Sequence, residues 1–397
     1  MVELKIITGR AGAGKSRWVL DRMAARRGQC GQVLLVPEHA THEAELDLCR
    51  ALGDTASRDG EVLSFQSLAT RVLAQTGGLA EVALDNGGKI LTMRRALQEV
   101  ASYLTVFARP SQRPAFLREL VALADELYAY RVAPQELMEQ VQAIPGAAGE
   151  KLRSTALLFG AYDARLHGGG RDARSRVQKL CDALPESRYL AGKDVYIDGF
   201  SYFNRVEEDI IAGMLRQAHS VTVTLLGDDS DTQLFRNGVE QRRRLQRMAK
   251  EYGCKCEVIN LVSCDDTALG HLERHFFGTD EPWEGDTPPI TLYQAHTAYS
   301  EVEYVSAQLR RLARGGVRWR DMAVAARNME VYGPLLEAVF RRDGIPAYIS
   351  RRSDILEQPV LTLLLSAVDA VTGGFEYEDM FRYLKTGMTG VTAAECD

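Results

Sequence analysis

The sequence predicts an α/β protein with parallel sheets, a helical insertion and a second, incomplete α/β domain. Three observations predict this architecture. Residues 1–84 alternate short apolar strands with amphipathic helices, residues 85–190 show helical periodicity alone, and the alternation returns at 191–280 and again at 288–397. Alternating strands and helices imply right-handed crossovers and parallel strands. We therefore assign 1–84 and 191–280 to one domain, 85–190 to its insertion and 288–397 to the start of a second domain.

The first domain is predicted to contain six strands, most of them followed by a helix. The segments LKIIT, QVLLVP and EVLSF predict strands, and each is followed by a predicted helix, at Lys15–Arg27, Ala40–Ala51 and Gln66–Gln75 respectively. After the insertion, DVYIDGF, VTVTLLGDD and CEVINL predict three further strands. A helix is expected near 207–218, and QRRRLQRMAKEY predicts another before the last strand.

The insertion and the second domain differ in their sequence patterns. Apolar residues recur at i, i+3, i+4 and i+7 in GKILTMRRALQEVASYL, AFLRELVALADELYAYRV and KLRSTALLFGAYDARL, which predicts helices. The turn-forming segment Gly278–Pro289 predicts a domain boundary. Beyond it, ITLYQAH, MAVAAR and AYIS predict strands alternating with two helices. We expect the second domain to be incomplete because the chain stops soon after a helical pattern, without a closing strand.

Composition narrows the class of protein. The chain has 397 residues, of which 46% are hydrophobic and 26% charged, and its net charge is -6. This charge argues against a basic arm that grips nucleic acid by bulk attraction. No apolar run approaches the roughly 20 residues that span a bilayer, and the first residues enter a strand pattern, so we expect neither membrane span nor signal peptide.

Seven scattered cysteines indicate a reducing compartment, and we expect the cytoplasm. Cys254, Cys256 and Cys264 are the closest set. A metal site there would need further ligands, because no second close pair completes four. The alternative is that Cys254 and Cys256 occupy alternate positions on a strand.

The segment GRAGAGKS has the full pattern of a phosphate-binding loop between a strand and a helix. Its glycines let backbone N–H groups close around phosphates, and the helix N-terminus adds partial positive charge. Lys15 is expected to reach the β- and γ-phosphates, and Ser16 to ligate Mg²⁺. The predicted ATP-binding residues are Gly9, Arg10, Ala11, Gly12, Ala13, Gly14, Lys15 and Ser16.

A second carboxylate is needed to organise Mg²⁺, and Asp198 at the end of VYID supplies it. Many motor ATPases follow this aspartate with a glutamate that polarises the attacking water. Here the next residue is Gly199, so the sequence indicates that the catalytic base is missing unless Glu207 or Glu208 takes its place. The alternative for Asp198 is an ordinary residue in the turn that ends a strand.

Two further residues are candidates for the chemistry of the γ-phosphate. Asp228, after the strand VTVTLL, lies in a segment that resembles a γ-phosphate sensor, although aspartate-rich turns are common. An arginine at a strand end that faces a phosphate loop can act as a catalytic arginine finger across a domain cleft, and Arg327, at the end of MAVAA, is the candidate. A surface arginine is the alternative.

Candidates for nucleic-acid binding follow the strands whose ends share an edge with the phosphate loop. They are His39, Thr41, Phe65 and Phe203. An aromatic ring such as that of Phe65 stacks on a base with about 1–3 kcal/mol, unless the ring belongs to the core. Basic side chains on the later helix could contact phosphates or form a solvated helix face, namely Arg242, Arg243, Arg244 and Arg247.

Several of these segments together resemble one known family. GRAGAGKS, LLVPEHATHEAE, VLSFQSLATRVLAQTGG, VYIDGFSYFN and AHTAYSEVEYVSAQLRRL are similar to the N-terminal helicase-like part of the AddB (RexB) subunit of bacterial ATP-dependent helicase–nucleases. The resemblance runs over residues 1–397 in one register. The stretch RDMAVAARNMEVYGPLLEAVFRRDGIPAYISRR also resembles the arginine-bearing motif of superfamily-one helicases such as UvrD and PcrA.

The resemblance implies two RecA-like domains of the P-loop NTPase class with helical insertions. It implies ATP and Mg²⁺ as cofactors, DNA ends and single-stranded DNA as substrates, and an AddA-type motor subunit as partner. In the family, AddB binds nucleotide, recognises a recombination hotspot and cuts one strand in double-strand break repair by homologous recombination. The nuclease domain and its iron–sulfur cluster would lie beyond Asp397, so none of the seven cysteines is expected to ligate the cluster.

Departures from the motor pattern point to a binding role. Gly199 replaces the usual glutamate, and eight residues precede Gly9, where motors usually carry a longer segment that recognises adenine. We therefore expect weak or absent ATP hydrolysis. Two alternatives stay open: an active superfamily-one helicase, which DNA-stimulated ATPase activity would indicate, and a P-loop small-molecule kinase, against which the large insertion and second domain argue.

Overall fold

The chain divides into two compact units, Met1–Gly285 and Asp286–Asp397. The division falls inside Gly278–Pro289, where the sequence predicts a domain boundary. The computed structural model describes residues 2–78, 84–104, 106–107, 114–168, 176–229, 233–262, 267–278, 281–287, 290–349 and 358–391. Among the described helices, none combines the length and apolar character needed to cross a membrane.

A parallel six-stranded sheet forms the centre of the first unit. Its strands are β1 (Glu3–Gly9), β2 (Gln32–Leu35), β3 (Gly60–Leu63), β4 (Asp194–Ile197), β5 (Ser220–Leu226) and β6 (Lys255–Leu261). Their order across the sheet is β3-β2-β4-β5-β1-β6. Each strand overlaps one of the six apolar segments that predict strands before residue 280. Strands β2 and β4 are buried along their whole length because helices cover both faces of the sheet.

Twelve described helices of the first unit connect and cover these strands. They are α1 (Lys15–Ala25), α2 (Thr41–Leu52), α3 (Ala56–Asp59), α4 (Phe65–Thr76), α5 (Asn86–Val100), α6 (Pro114–Ala129), α7 (Pro134–Val141), α8 (Ala147–Gly168), α9 (Arg176–Ala183), α10 (Arg205–Gln217), α11 (Arg236–Glu251) and α12 (Ala268–His275). Val19 and Met23 of α1 pack on one face of the sheet. Leu68, Ile210 and Leu245, from α4, α10 and α11, belong to the core on the other face.

The insertion has its own core. Met93 of α5, Leu120 of α6 and Tyr162 of α8 belong to a hydrophobic cluster separate from that of the sheet. Between Asn86 and Ala183 the described residues include no strand, as the helical periodicity predicts. Helix α9 differs from this expectation, because its Leu180 is fully buried in the core of the sheet. The sequence pattern assigns it to the insertion because periodicity does not show which core a helix joins.

The second unit contains α13 (Ala298–Arg314), α14 (Met329–Arg342), α15 (Pro359–Thr372) and α16 (Tyr377–Leu384). Helices α13 and α14 share a core that includes Val302 and Val339. The predicted strands ITLYQAH and MAVAAR, and the described part of AYIS, are not strands in the described residues. A strand is defined by a hydrogen-bonded neighbour, and these apolar segments lack ladder partners there. The end of AYIS, Ser350, lies outside the described residues.

Parallel pairing brings the carboxyl ends of the central strands to one edge. Thr8 of β1 pairs with Leu225 of β5, and Ile197 of β4 pairs with Val223 of β5. The segments that follow β1, β4 and β5 therefore leave the sheet side by side. In open parallel sheets, ligands bind outside this edge.

Candidate nucleotide-binding site

The segment GRAGAGKS forms a tight loop between β1 and α1. Gly9 ends β1, Lys15 begins α1, and Gly14 occupies the N-cap position. Gly12 and Gly14 have φ values of 75° and 85°, a backbone region that L-residues with side chains rarely adopt. A Cβ at Gly9 would approach the carbonyl oxygen of Leu261 to 2.7 Å. Loop geometry therefore requires glycine at these three positions.

Lys15 folds back over the loop backbone. Its Nζ donates hydrogen bonds to the carbonyl oxygens of Gly9 at 2.9 Å and Arg10 at 2.7 Å. Burial lowers the pKa of Lys15, while the negative charges of Asp198 and Glu273 act in the opposite direction. The ammonium group is thus held against the loop, within electrostatic range of two carboxylates. Ser16, the next residue, is exposed in the first turn of α1.

Asp198 follows β4 directly and is fixed from both neighbouring strands. Its backbone N–H donates to the carbonyl oxygen of Leu35 at 2.9 Å, and the hydroxyl of Thr224 in β5 donates to its carboxylate. The carboxyl group is partly exposed at the strand-end edge. A serine hydroxyl and a carboxylate are oxygen ligands of the kind that Mg²⁺ prefers, so Ser16 and Asp198 fit this metal together with phosphate oxygens.

The position after Asp198 is unsuited to a catalytic glutamate. Gly199 has a φ of 81°, which disfavours any residue with a side chain. Glu207, the nearest alternative, accepts a hydrogen bond from the backbone N–H of Asn204 at 2.9 Å and so caps α10. Burial raises the pKa of Glu207. Glu208 is 6% exposed and pairs with Arg244 at 3.1 Å. Both glutamates are therefore engaged in structural contacts.

Asp228 lies beside the phosphate loop, where Arg10 binds it. The guanidinium Nε of Arg10 is 2.5 Å from the Asp228 carboxylate, and its NH1 is 3.5 Å from Glu273 Oε2 on α12. The same guanidinium lies 5.1 Å from the ring centroid of Phe235. The backbone N–H of Gly227 also donates to the carbonyl oxygen of Gly9 at 3.2 Å. Hence the segment after β5 and helix α12 are both attached to the start of the loop.

Helix α12 and Glu273 are absent from the sequence-based prediction. One local signal could have found the helix, because Thr267 precedes ALGHLERH and its side chain accepts a hydrogen bond from the N–H of Gly270 at 3.2 Å. Threonine is a favoured N-cap residue. No local signal indicates that Glu273 meets Arg10, since more than 260 residues separate them.

The aromatic nucleic-acid candidates prove to be core residues. Phe65 is 5% exposed and Phe203 is 3% exposed, and both belong to the core of the sheet. The ring of Phe200 lies between them, with centroids 5.3 Å from Phe65 and 5.4 Å from Phe203. Rings packed in this way present no free face to a base, so the core alternative replaces base stacking at both positions. Phe65 begins α4 directly after its N-cap, Ser64, and its ring packs against that of Phe200.

The polar candidates lie at the surface. His39 is exposed in a short 3₁₀ turn after β2. Thr41 begins α2 and donates from its hydroxyl to the carbonyl oxygen of Glu38 at 2.9 Å. Both residues follow β2, whose carboxyl end lies at the same edge as that of β4.

The four candidate arginines of α11 divide into two groups. Arg242 pairs with Asp229 at 2.6 Å and Arg244 with Glu208 at 3.1 Å. Arg243 and Arg247 are exposed on the same helix.

Arg327 belongs to the second unit and is exposed directly before Asn328, the N-cap of α14. Its action on phosphate stays a prediction. Of the three cysteines that lie closest in sequence, Cys264 is outside the described residues.

Comparison with known proteins identifies the family. The family described as ADDB, N-terminal, matches residues 6–273. The chain belongs to the AddB family. Its six-stranded parallel sheet is consistent with the RecA-like layout that this family implies. Among the described residues, no group of three or more His, Cys, Asp or Glu side chains is arranged to hold a metal ion by itself.

Individual AddB relatives match almost the whole chain. Proteins named as subunits of an ATP-dependent helicase/deoxyribonuclease are similar to it in Acetivibrio thermocellus (31% identical over 100% of this chain), Desulforamulus reducens (32% over 100%) and Moorella thermoacetica (33% over 99%). In each case the match covers 36% of the relative. The chain therefore spans little more than a third of the length of these AddB relatives.

Proposed function

We propose that this chain is the nucleotide- and DNA-binding, helicase-like part of a subunit of a bacterial ATP-dependent helicase/nuclease. Such an enzyme acts in double-strand break repair by homologous recombination. The relatives' names include both helicase and deoxyribonuclease. The observation that carries the proposal is geometric: the glycine loop with Lys15 follows β1, and Asp198 follows β4, at the same carboxyl-end edge of the parallel sheet.

ATP with Mg²⁺ is the proposed ligand of the loop Gly9–Ser16. Backbone N–H groups of the loop and the N-terminus of α1 would hold the phosphates. Lys15 would exchange its carbonyl partners for phosphate oxygens, and Ser16 and Asp198 would ligate Mg²⁺. Asp228 would sense the γ-phosphate through the segment after β5, and Arg327 is our candidate for an arginine finger.

Binding without rapid hydrolysis is the proposed mode of this site. Rapid hydrolysis needs a group that orients water beside the γ-phosphate. Gly199 cannot supply it, and Glu207 and Glu208 are held in a helix cap and an ion pair. A nucleotide bound here would therefore stabilise a conformation rather than drive movement. In this proposal the motor is an AddA-type partner subunit.

DNA is the second proposed ligand, with single strands and DNA ends crossing the strand-end edge near His39 and Thr41. Both residues offer hydrogen-bonding groups, whereas the phenylalanine rings at this edge, Phe65 and Phe203, are buried. We therefore expect contacts with phosphate and sugar rather than base stacking. Because the net charge of the chain is -6, we expect weak affinity that falls further as salt screens the contacts with phosphate.

Titration with ATP and Mg²⁺ tests the nucleotide site. Replacing Lys15 by alanine should weaken ATP binding at least tenfold, since hydrogen bonds to charged groups contribute about 1.5–3 kcal/mol. Lys250→Ala, which removes an exposed lysine of α11, is the matched control and should bind ATP like the wild type. Equal ATP affinity in Lys15→Ala and the wild type would overturn the assignment.

A further inference from the structure

Helix α12 is attached to the phosphate loop by its C-terminal end. The NH1 group of Arg10 donates to the carbonyl oxygens of Glu273 at 3.3 Å and Arg274 at 3.4 Å. It also lies 3.5 Å from the Glu273 carboxylate. A guanidinium is well suited to this place, because the last carbonyls of a helix carry partial negative charge. The end of α12 is therefore fixed beside the residue that opens the loop.

Two exposed aromatic rings follow directly at this end of α12. Phe276 is 65% exposed and Phe277 is 73% exposed. Their ring centroids are 4.8 Å apart in an edge-to-face arrangement. Phe276 lies two residues beyond Arg274, which is about 3 Å along a helix axis. Phe276 and Phe277 thus follow within about one helical turn of the carbonyl groups that Arg10 holds.

The exposed rings of Phe276 and Phe277 would gain free energy if a ligand covered them. Burying a phenylalanine side chain contributes about 1.5–3 kcal/mol, so two neighbouring rings left in water mark a surface that gains from being covered. When the phosphates of a nucleotide occupy the loop Gly9–Ser16, its sugar and base lie outside the loop. The base is flat and stacks on aromatic side chains with about 1–3 kcal/mol.

We propose that Phe276 and Phe277 form the stacking face for the base of a nucleoside triphosphate whose phosphates bind at Gly9–Ser16. This inference rests on the proposed function of the loop and adds how the rest of the nucleotide is held. Phenylalanine rings offer no hydrogen-bond donor or acceptor, and stacking tolerates any base. The site should therefore favour purine nucleotides over bare phosphate chains while distinguishing poorly between ATP and GTP.

Calorimetric titration of the 397-residue chain separates the two parts of the ligand. Mg²⁺ complexes of ATP, GTP and tripolyphosphate are titrated into the wild type and into the double variant Phe276→Ala/Phe277→Ala. The wild type should bind ATP and GTP about equally, and both at least tenfold more tightly than tripolyphosphate. In the double variant that tenfold advantage should disappear while tripolyphosphate affinity stays the same.

Matched variants keep the result interpretable. Leu269→Ala removes another exposed apolar side chain of α12, 53% exposed, and should leave all three affinities unchanged. Phe276→Leu/Phe277→Leu retains apolar bulk but removes the aromatic faces, so it should also lose most of the tenfold advantage. Unaltered ATP affinity in both double variants would overturn the stacking face while leaving the phosphate site intact. Failure of the wild type to bind either ATP or tripolyphosphate would instead overturn the proposed function itself.

Discussion

Thr224, in the middle strand between β1 and β4, donates a hydrogen bond from its hydroxyl to the carboxylate of Asp198. The bond fixes the orientation of the carboxylate that we assign to Mg²⁺, and it does so from the strand that pairs with β1. The two residues are 26 positions apart in sequence and meet because β4 and β5 pair in parallel register. Thr224 therefore acts as a positioning residue in the proposed site.

Substitutions at these two positions should affect Mg²⁺-dependent ATP binding to different degrees. Asp198→Asn removes the charged ligand and should weaken ATP binding in Mg²⁺ by tenfold or more, with little effect on binding in EDTA. Thr224→Val keeps the shape of the side chain and removes a hydrogen bond to a charged group, about 1.5–3 kcal/mol at most. It should give an intermediate loss. Equal Mg²⁺ dependence in all three proteins would show that Asp198 does not bind the metal.

A glutamate at position 199 should not increase ATP turnover. Gly199→Glu restores the residue type that motors carry, but its φ of 81° should make the substitution cost about 1–2 kcal/mol of folding free energy. We expect a lower urea midpoint and no increase in ATP turnover. Gly199→Asn, which tolerates this backbone region better, is the control for strain and should be destabilised less. A Gly199→Glu protein that turns over ATP near the median enzyme rate of about 10 s⁻¹ would contradict this prediction.

Much of the fold could be predicted from the sequence because its signals are local. All six strands overlap apolar segments bounded by turn-forming residues, and the helices after β1, β2 and β3 end within two residues of their predicted bounds. The place of the phosphate loop follows from the glycine spacing. The strand order and the burial of α9 could not be predicted, since both depend on which distant surfaces meet.

For the residues of the site, too, contacts between distant segments could not be predicted from the sequence. Phe65 follows a strand on the proper edge, but whether a ring points outward or into the core depends on Phe200, more than a hundred residues away. The sequence predicts Arg10 as one loop residue among eight, whereas the structure shows that it joins the loop to Asp228 and α12. The predicted strands of the second unit fail for a related reason. Alternating apolar residues indicate that a segment could pair as a strand, but they do not show whether a neighbouring strand is present.

Phe65 and His39 should have opposite effects on stability and DNA binding. Phe65→Ala removes a buried ring and should cost about 3–5 kcal/mol of unfolding free energy, measured by urea titration. Phe65→Leu keeps most of the volume, should cost less than about 1.5 kcal/mol, and should bind single-stranded DNA like the wild type. His39→Ala should change stability by no more than about 0.5 kcal/mol and weaken DNA binding about two- to tenfold. Weakened DNA binding in a folded Phe65→Leu protein would restore base stacking as the explanation.

Asp194 lies at the opposite end of β4 from Asp198. Its side chain is fully buried, and its carboxylate accepts hydrogen bonds from Arg26, His219 and Ser220. Burial by itself would raise the pKa of Asp194, but hydrogen bonds from Cys30 and these three groups outweigh it and hold the pKa at about 2. This value is below the ordinary 3.8, so ionised Asp194 stabilises the fold above about pH 4.

That stabilisation should disappear as the pH falls from about 4 towards 2, because the unfolded chain then binds the proton more tightly than the folded chain. A shift of this size corresponds to about 2 kcal/mol at neutral pH. Asp194→Asn should lose at least this much, since it leaves Arg26 without its buried partner. Urea unfolding measured at pH 7, 5, 4 and 3 should show the two proteins converging as the pH falls, with Asp21→Asn, an exposed carboxylate on α1, as control. A constant gap between wild type and Asp194→Asn across this range would mean that the Asp194 carboxylate does not carry the stabilising charge.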